Sequence, residues 1–387
     1  MNHYYVDLHI HIGRTFTGKA VKITGAKTLT FSNIIEHARD EKGLNMIGII
    51  DCHSPEVIIE IEKLMEQGEL TEHPDGGLNY RGMTVIPGSE LEVYDENCHG
   101  PIHLLCYFPT LQAMKDFSGW LSGHLKNIQL SSQRIYASGR ELQAKVKEHG
   151  GLFIPAHVFT PFKSLYGKGV QRSLTEVLDP NEIDGIELGL SSDTSMADCL
   201  GELHQYTFVT NSDAHSLPKI AREYQIIAMV EPTFAELKKA LHRLDGRQVV
   251  ANYGLDPLLG KYHQTVCATC QTSYGPEDTE CPHCHDRKTV KGVADRICEL
   301  TTADRPPEHR PPYVHQVPLD FIPGLGPKLL RKLLDHFGTE MAILHEVPLE
   351  ALEEVVPTKI AELIKKARKG ELNLLAGGGG KYGKIAD

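Results

Sequence analysis

Residues 5–13 read YVDLHIHIG, with His9 and His11 one residue apart inside an apolar run. Side chains two apart on a strand point to the same side, so a strand here puts both imidazoles on one face. Buried polar groups without partners are costly. A divalent metal answers the need, since neutral imidazole suits zinc and iron among others.

The pattern recurs along the chain. Asp51 and His53 are two apart in IIDCHS, Glu90 and Glu92 in GSELEV, and Asp213 and His215 in NSDAHS. Single histidines mark IHLL (His103) and IPAH (His157). From residue 1 to about 255, short apolar runs of β type alternate with amphipathic stretches such as 31–42, 57–67 and 138–149. Strand–helix alternation with near-continuous apolar strands predicts a parallel sheet covered by helices. Periodicity leaves open whether that sheet closes into a barrel. Catalytic groups in such architectures collect at the C-terminal ends of strands, so six segments bearing His, Asp or Glu read as one shared site. His99, in the turn ENCHGP, and the histidines of helical or loop contexts stay outside it.

Bulk properties bound the rest. A chain of 387 residues has room for two or three domains, and 41% hydrophobic with 24% charged residues is ordinary for a globular protein. A formal net charge of -11 excludes a surface that binds polyanions everywhere, so any nucleic-acid contact rests on a local patch or on backbone amides. Nine cysteines is an odd count. Four fall in two C-x-x-C pairs, which reads as metal binding in a reducing compartment. The first residues lack the features of a signal peptide, and no stretch approaches the roughly 20 apolar residues of a membrane span. The expectation is a cytoplasmic, nucleoid-associated protein with no membrane partner.

DLHIH, IIDCHS, the GSE of GSELEV, HLL, PAH and NSDAHS resemble, in order, the motifs of the PHP (polymerase and histidinol phosphatase) superfamily, over about 220 residues. The resemblance implies an α/β fold, a distorted seven-stranded β/α barrel with two or three metal ions (Zn, Mn, Fe or Mg) at its C-terminal mouth. It implies that His9, His11, Glu90 and Asp213 hold one ion. Glu90 would bridge to a second held by His103 and His157, and a third would use His53 or Asp51 with His215. Many PHP sequences carry an acid or histidine shortly after H-x-H. Here the segment GRTFTGKA offers only Thr15 and Thr17. Divalent ions lower the pKa of a bound water toward about 7 and stabilise the entering and leaving oxygens of attack on phosphorus. The cluster therefore reads as a phosphoesterase, with Asp213, His215 and Asp51 the candidate catalytic residues, His215 or Asp51 assisting proton transfer.

CATCQTSYGPEDTECPHCH places Cys267 and Cys270 ten residues before Cys281 and Cys284. Four thiolates at this spacing predict a closed structural zinc site folding a segment, 262–302, that has no core of its own. His283 and His285 are alternative ligands, but four cysteines is the simpler assignment. A Pro-rich linker, 303–317, is expected to be extended. In the small helical unit 318–372, FIPGLGPKLLRKLL sets Gly324 and Gly326 in a tight turn before a helix, with Lys328, Arg331 and Lys332 following. Exposed amides there, with the helix dipole, form a phosphate site. The stretch resembles the helix-hairpin-helix motif, which grips DNA backbone without reading sequence. A weaker second copy is VVPTKIAELIKKARK. The tail, 373–387, is Gly-rich; nearby, ELNLL (371–375) faintly resembles a sliding-clamp peptide.

The order of barrel (1–258), ribbon, hairpin and a tail ending KYGKIAD resembles the endonuclease Q family across nearly the whole chain, as do PAHVFTPFKSLYGKG and ELGLSSDTSMADCL followed by YTFVTNSDAHS. That resemblance implies nicking of double- or single-stranded DNA on the 5′ side of uracil, hypoxanthine, xanthine and abasic sites. Independently, the loop after His157 mixes Phe159, Phe162 and Tyr166 with Lys163, Lys168 and Arg172. Aromatics stack on bases and cations hold phosphates, so this loop with Ser191 and Ser192 is expected to line a pocket for an extruded base. A small-molecule phosphatase of the histidinol-phosphate type would need the same metals without ribbon or hairpin. A non-catalytic DNA-binding adaptor would need no intact ligand set.

Overall fold

The structure, a computed structural model, describes residues 1–260, 262–275, 278–375 and 384–385; most of the Gly-rich tail lies outside them. Seven strands close a ring. In chain order they are β1 (Asn2–Ile10), β2 (Met46–Ile49), β5 (Met83–Val93), β6 (Ile102–Tyr107), β7 (Leu152–Pro155), β8 (Ile186–Glu187) and β9 (Phe208–Val209), with a small hairpin, β3 (Thr71–Glu72) and β4 (Leu78–Tyr80), beside β5. β1, β2 and β5 pair parallel, as do β8 and β9. Phe153 and Val158 on the β7 side bond Asp184 and Glu187 on the β8 side, and the bridge Ile10–Ala214 returns the chain beyond β9 to β1. Leu8, Met46, Ile86, Leu105, Ile154 and Val209, from six of the seven strands, form one fully buried cluster that plugs the ring.

The predicted parallel sheet is corrected in one respect that matters for the site. β6 runs antiparallel to both β5 and β7. Its N-terminal end, with His103, therefore lies beside the C-terminal ends of the other strands, where His9, His11, Glu90, His157 and Asp213 are found. A single reversed strand keeps every expected ligand at one mouth.

Helices cover the ring: α1 (Phe31–His37), α2 (Pro55–Glu66), α3 (Leu111–Ser122), α4 (Gly139–Glu148), the short α5 (Thr194–Ala197) and α6 (Phe234–Leu241). The amphipathic stretches become α1 with a wide turn over Ala38–Lys42, α2, and α4, which starts with a capping box of Ser138 and Glu141. Beyond β1 the sheet continues antiparallel through β10 (Tyr224–Met229) and β11 (Gln248–Gly254).

The ribbon is a two-stranded piece, β12 (Val266–Cys267) with β13 (Thr289–Val290), followed by α7 (Val293–Leu300). The Pro-rich linker is extended, but it is not a free connection. β14 (Tyr313–His315) joins the sheet parallel to β11, and Arg310 bonds Asp198 through two nitrogens at 2.7–3.1 Å while lying over the Phe208 ring. The last unit holds α8 (Pro327–Phe337), α9 (Glu340–His345), α10 (Leu349–Val355) and α11 (Thr358–Lys369). Gly324 has φ +84° and Gly326 caps α8, so the PGLGP turn forms with its prolines and glycines exposed and Leu325 buried. The segment preceding the turn is only a three-residue 3-10 turn, Leu319–Phe321, whereas α10 and α11 form a full helical hairpin across Val356–Pro357.

Candidate metal centre and active site

Glu90 is the hub of the site. It is buried, near the end of β5, and its two oxygens face different groups. Oε1 lies 2.9 Å from His103 Nδ1, 3.4 Å from His157 Nε2 and 3.6 Å from His9 Nε2. Oε2 lies 3.5 Å from His11 Nε2. Asp213 Oδ1 completes the first side, 3.5 Å from His9 Nε2 and 3.4 Å from His11 Nε2. His215 Nε2 stands 3.3 Å from the same oxygen, at the solvent edge. The ligand atoms thus gather into His9–His11–Glu90, Glu90–His103–His157 and His11–Asp213–His215.

Whether these residues suit ions is answered by atoms left without partners. The Nε2 atoms of His9 and His11 are buried and unbonded, as are both ring nitrogens of His103 despite the 2.9 Å approach to Glu90, which lacks hydrogen-bond alignment. Such orphans are costly unless something fills the space between them. Tautomers are fixed from behind. His9 donates from Nδ1 to Glu187 at 2.9 Å, and His11 from Nδ1 to Asp51 Oδ2 at 3.0 Å, leaving each Nε2 lone pair facing the cluster. Glu187 also accepts from Asn211 Nδ2 and from the His157 backbone N–H, both at 2.8 Å. The charges agree. Against burial, Glu187, Asp213 and Glu90 push His9 up to about 10, so this enclosure attracts positive charge. Although burial opposes it, neighbouring histidines and Lys22 hold Glu90 well below the usual carboxylate range, and His9, His11 and His215 do the same for Asp213. His157 and Asp213 adopt left-handed backbone at φ 31° and 45°, strain of the kind that concentrates at functional sites. Gly189 is required beside them, because a Cβ there would lie 2.6 Å from the His157 Cβ.

Two expected roles are corrected. His53 sits behind the cluster, with Nδ1 2.8 Å from Ser89 Oγ and Nε2 3.2 Å from the Leu130 carbonyl, so neither nitrogen is free to ligate. Asp51 is fully buried and spends Oδ2 on His11 and the Ile12 N–H, which makes it an orienting group cut off from solvent, although its Oδ1 is left buried without a partner. Thr15 and Thr17 bond each other, and Thr17 reaches Glu56, away from the ions' place.

The cluster floors a cavity of about 270 Å³ walled by Thr160, Phe162, Lys163, Leu190, Ser191 and Tyr262. Three of the expected base-pocket residues stand there: Phe162, half exposed, Lys163, 2.9 Å from Glu92, and Ser191. Phe159 and Tyr166 do not. They are buried and stacked at 5.3 Å, and the Tyr166 hydroxyl donates to Glu202. Ser192 turns inward to the Leu188 carbonyl, and Lys168 and Arg172 are exposed outside the cavity wall. Sequence reasoning missed Lys22, Glu187, Asn211 and Tyr262. Tyr262 comes from the ribbon's approach and meets Phe162 edge-on at 5.5 Å.

In the ribbon, Cys267 Sγ is 3.5 Å from Cys284 Sγ, and Cys270 Sγ is 3.4 Å from Cys281 Sγ, with all four ligand atoms within 4.8 Å. That is too far for a disulfide of about 2.05 Å and suits four thiolates around one ion. His285 is engaged with Glu280, and neither it nor His283 joins the group. The ribbon's helix braces the barrel: Arg296 on α7 donates to the carbonyls of Tyr166, Val170 and Gln171 at 2.8–3.0 Å. Among the described residues no helix is long and apolar enough to cross a membrane.

Fold and site together define a metal-dependent hydrolase of phosphoester bonds. The comparisons place it further. No family model matches the chain. It is 58% identical over 385 residues, spanning the full length of both, to the uncharacterized protein YqxK of Bacillus subtilis. It is 37% identical over 298 residues to the uncharacterized protein MJ0043 of Methanocaldococcus jannaschii, 69% of this chain and 37% of that one. Among solved structures, the lesion-specific endonuclease PfuEndoQ of Pyrococcus furiosus matches with a TM-score of 0.85 at 34% identity, covering 99% of this chain and 95% of its own. Endonuclease Q in complex with a 27-mer duplex substrate, an abasic lesion at its active site, matches with a TM-score of 0.84 at 34% identity over 99% and 96%. The chain belongs to the endonuclease Q family.

Proposed function

We propose that this protein is a DNA-repair endonuclease that cuts the phosphodiester on the 5′ side of deaminated bases (uracil, hypoxanthine, xanthine) and abasic sites. The observation that carries the proposal is the sharing of Glu90 between two ligand groups at the floor of the cavity, in a chain of the family whose solved member holds an abasic duplex. His9, His11, Glu90 and Asp213 would hold one divalent ion and Glu90, His103 and His157 another, with Zn, Mn, Fe or Mg all compatible with mixed imidazole and carboxylate donors. Such ions supply an activated water and neutralise charge at phosphorus. Around them, His215, 39% exposed at the cavity edge, is placed to carry a proton to or from solvent.

At about 270 Å³, near the lower limit of small-molecule sites (~300–1,000 Å³), the cavity admits one nucleotide unit and not a duplex. A lesion must therefore be extruded, which costs least where pairing is already weak. Phe162, Lys163 and Ser191 form the wall against which the extruded nucleotide would rest. The exposed Gly324–Gly326 turn with Lys328, and the second hairpin at Val356–Pro357, would hold backbone at a distance. Zinc is the ion proposed for the four cysteines. The sliding-clamp likeness of residues 371–375 rests on sequence alone; Leu374–Leu375 pairs antiparallel with Lys384–Ile385.

The test is one gel. End-labelled duplexes carrying uracil, hypoxanthine, xanthine or an abasic site are incubated with the protein and Zn, Mn or Mg. The expected result is a single nick 5′ of the lesion, lost in Asp213→Ala. Uniform degradation of undamaged duplex, or phosphate release from mononucleotides alone, would overturn the proposal.

A further inference from the structure

Lys22 lies eleven residues beyond His11, in a loop without periodic pattern, yet its side chain returns to the cavity. Nζ is 3.3 Å from Glu90 Oε2 and 2.6 Å from Ser132 Oγ, and the side chain is 15% exposed. Ser132 donates to the same Glu90 oxygen and holds left-handed backbone at φ 50° to do so.

The groups that would hold a third ion are dispersed. His53 is bonded through both nitrogens, Thr15 and Thr17 face Glu56, the unpartnered Oδ1 of Asp51 joins no ligand group, and the remaining group borrows His11 and Asp213 from the first ion's ligands. Charge points the same way. Glu90, Asp213, Asp51 and Glu187 bring four negative charges, Glu92 being neutralised by Lys163. Two divalent ions balance those four, and Lys22 then faces the single negative charge of a phosphodiester.

We propose that Lys22 is a catalytic residue: its ammonium replaces a third metal ion and contacts a non-bridging oxygen of the phosphate being cut. This rests on the phosphodiesterase reading above and names the group that offsets charge as it builds on that oxygen.

Two measurements on the full chain decide it. Metal analysis of the wild-type protein, saturated with zinc and desalted, is expected to give three ions per chain, two in the barrel and one in the ribbon; four would overturn the proposal. In single-turnover cleavage of uracil duplex, Lys22→Gln is expected to cut about 10²–10³-fold more slowly, with metal content and lesion-duplex affinity unchanged. Lys22→Arg, which keeps the charge, recovers part of the rate. Loss of barrel ions from Lys22→Gln would reduce Lys22 to a prop for Glu90 and overturn the proposal, as would a wild-type rate. Failure of the wild-type protein to nick any lesion would instead sink the functional reading, while the metal count would still judge the third charge.

Discussion

Glu187 and Asp51 settle which nitrogen of His9 and His11 the ions would meet. Each accepts the Nδ1 proton, so both rings offer Nε2, and each raises the basicity of its ring. Glu187→Gln keeps the size and an acceptor but removes the charge. Affinity for the barrel ions is expected to fall about 10–100-fold, read by competition with a chromophoric chelator, with the ribbon's ion retained. An unchanged affinity would show that the carboxylate only fills space. The sequence disclosed the ligands because strand spacing forces them into pairs: His9 with His11, Asp213 with His215. It hid Glu187, which stands three residues after Asp184 in IDGIEL and so has no partner at strand spacing, and Lys22, one of four cations in the loop 13–30, since neither has a periodic neighbour to mark its side. It misplaced Phe159 and Tyr166 because an aromatic in a loop reads alike whether it turns outward to a base or inward to a core.

Strand direction leaves no trace in side-chain period, so the reversal of β6 could not be read from IHLLCY, whose apolar pattern serves either direction. β14 was hidden by the prolines just before it, which read as a linker, although their extended backbone suits the approach to an added edge strand. The ribbon was legible outright, because C-x-x-C spacing is a direct consequence of tetrahedral coordination. Cys270→Ser is expected to lose one metal ion per chain and to open residues 262–292 to protease, since that segment has no apolar core to fall back on. The barrel ions stay. Loss of Arg296's grip on the loop at residues 166–171 then slackens the Phe162 wall, and the KM for lesion DNA rises more than kcat falls. A protease pattern identical to wild type would refute the dependence on metal.

At the scale of the whole molecule the helical unit is bolted to the barrel. Lys42 bonds both Glu340 and the Pro218 carbonyl at 2.9 Å, Lys219 pairs with Asp320 at 2.8 Å, and His345 stacks on Tyr5 with its Nε2 2.6 Å from the Tyr224 hydroxyl. Burial, helped by Arg368, pushes His345 down to about 4. The folded state therefore binds a proton less readily than the unfolded chain, whose histidine titrates near 6.5. Stability from this group is full above 6.5 and is lost as pH falls toward 4. At pH 5 linkage gives up to about 2 kcal/mol, nearer ~1 kcal/mol once the partial exposure of His345 is allowed for. Thermal melts at pH 7 and pH 5 are expected to differ less in His345→Gln than in wild type. Equal differences would remove His345 from the acid response.

That attachment sets a length. If the PGLGP turn holds backbone as proposed, these contacts between helical unit and barrel would set it a constant run of nucleotides from Glu90. The molecule would then work as a caliper, and its incision is expected at one position relative to the lesion whatever the surrounding bases, where a detached helical unit would leave scatter.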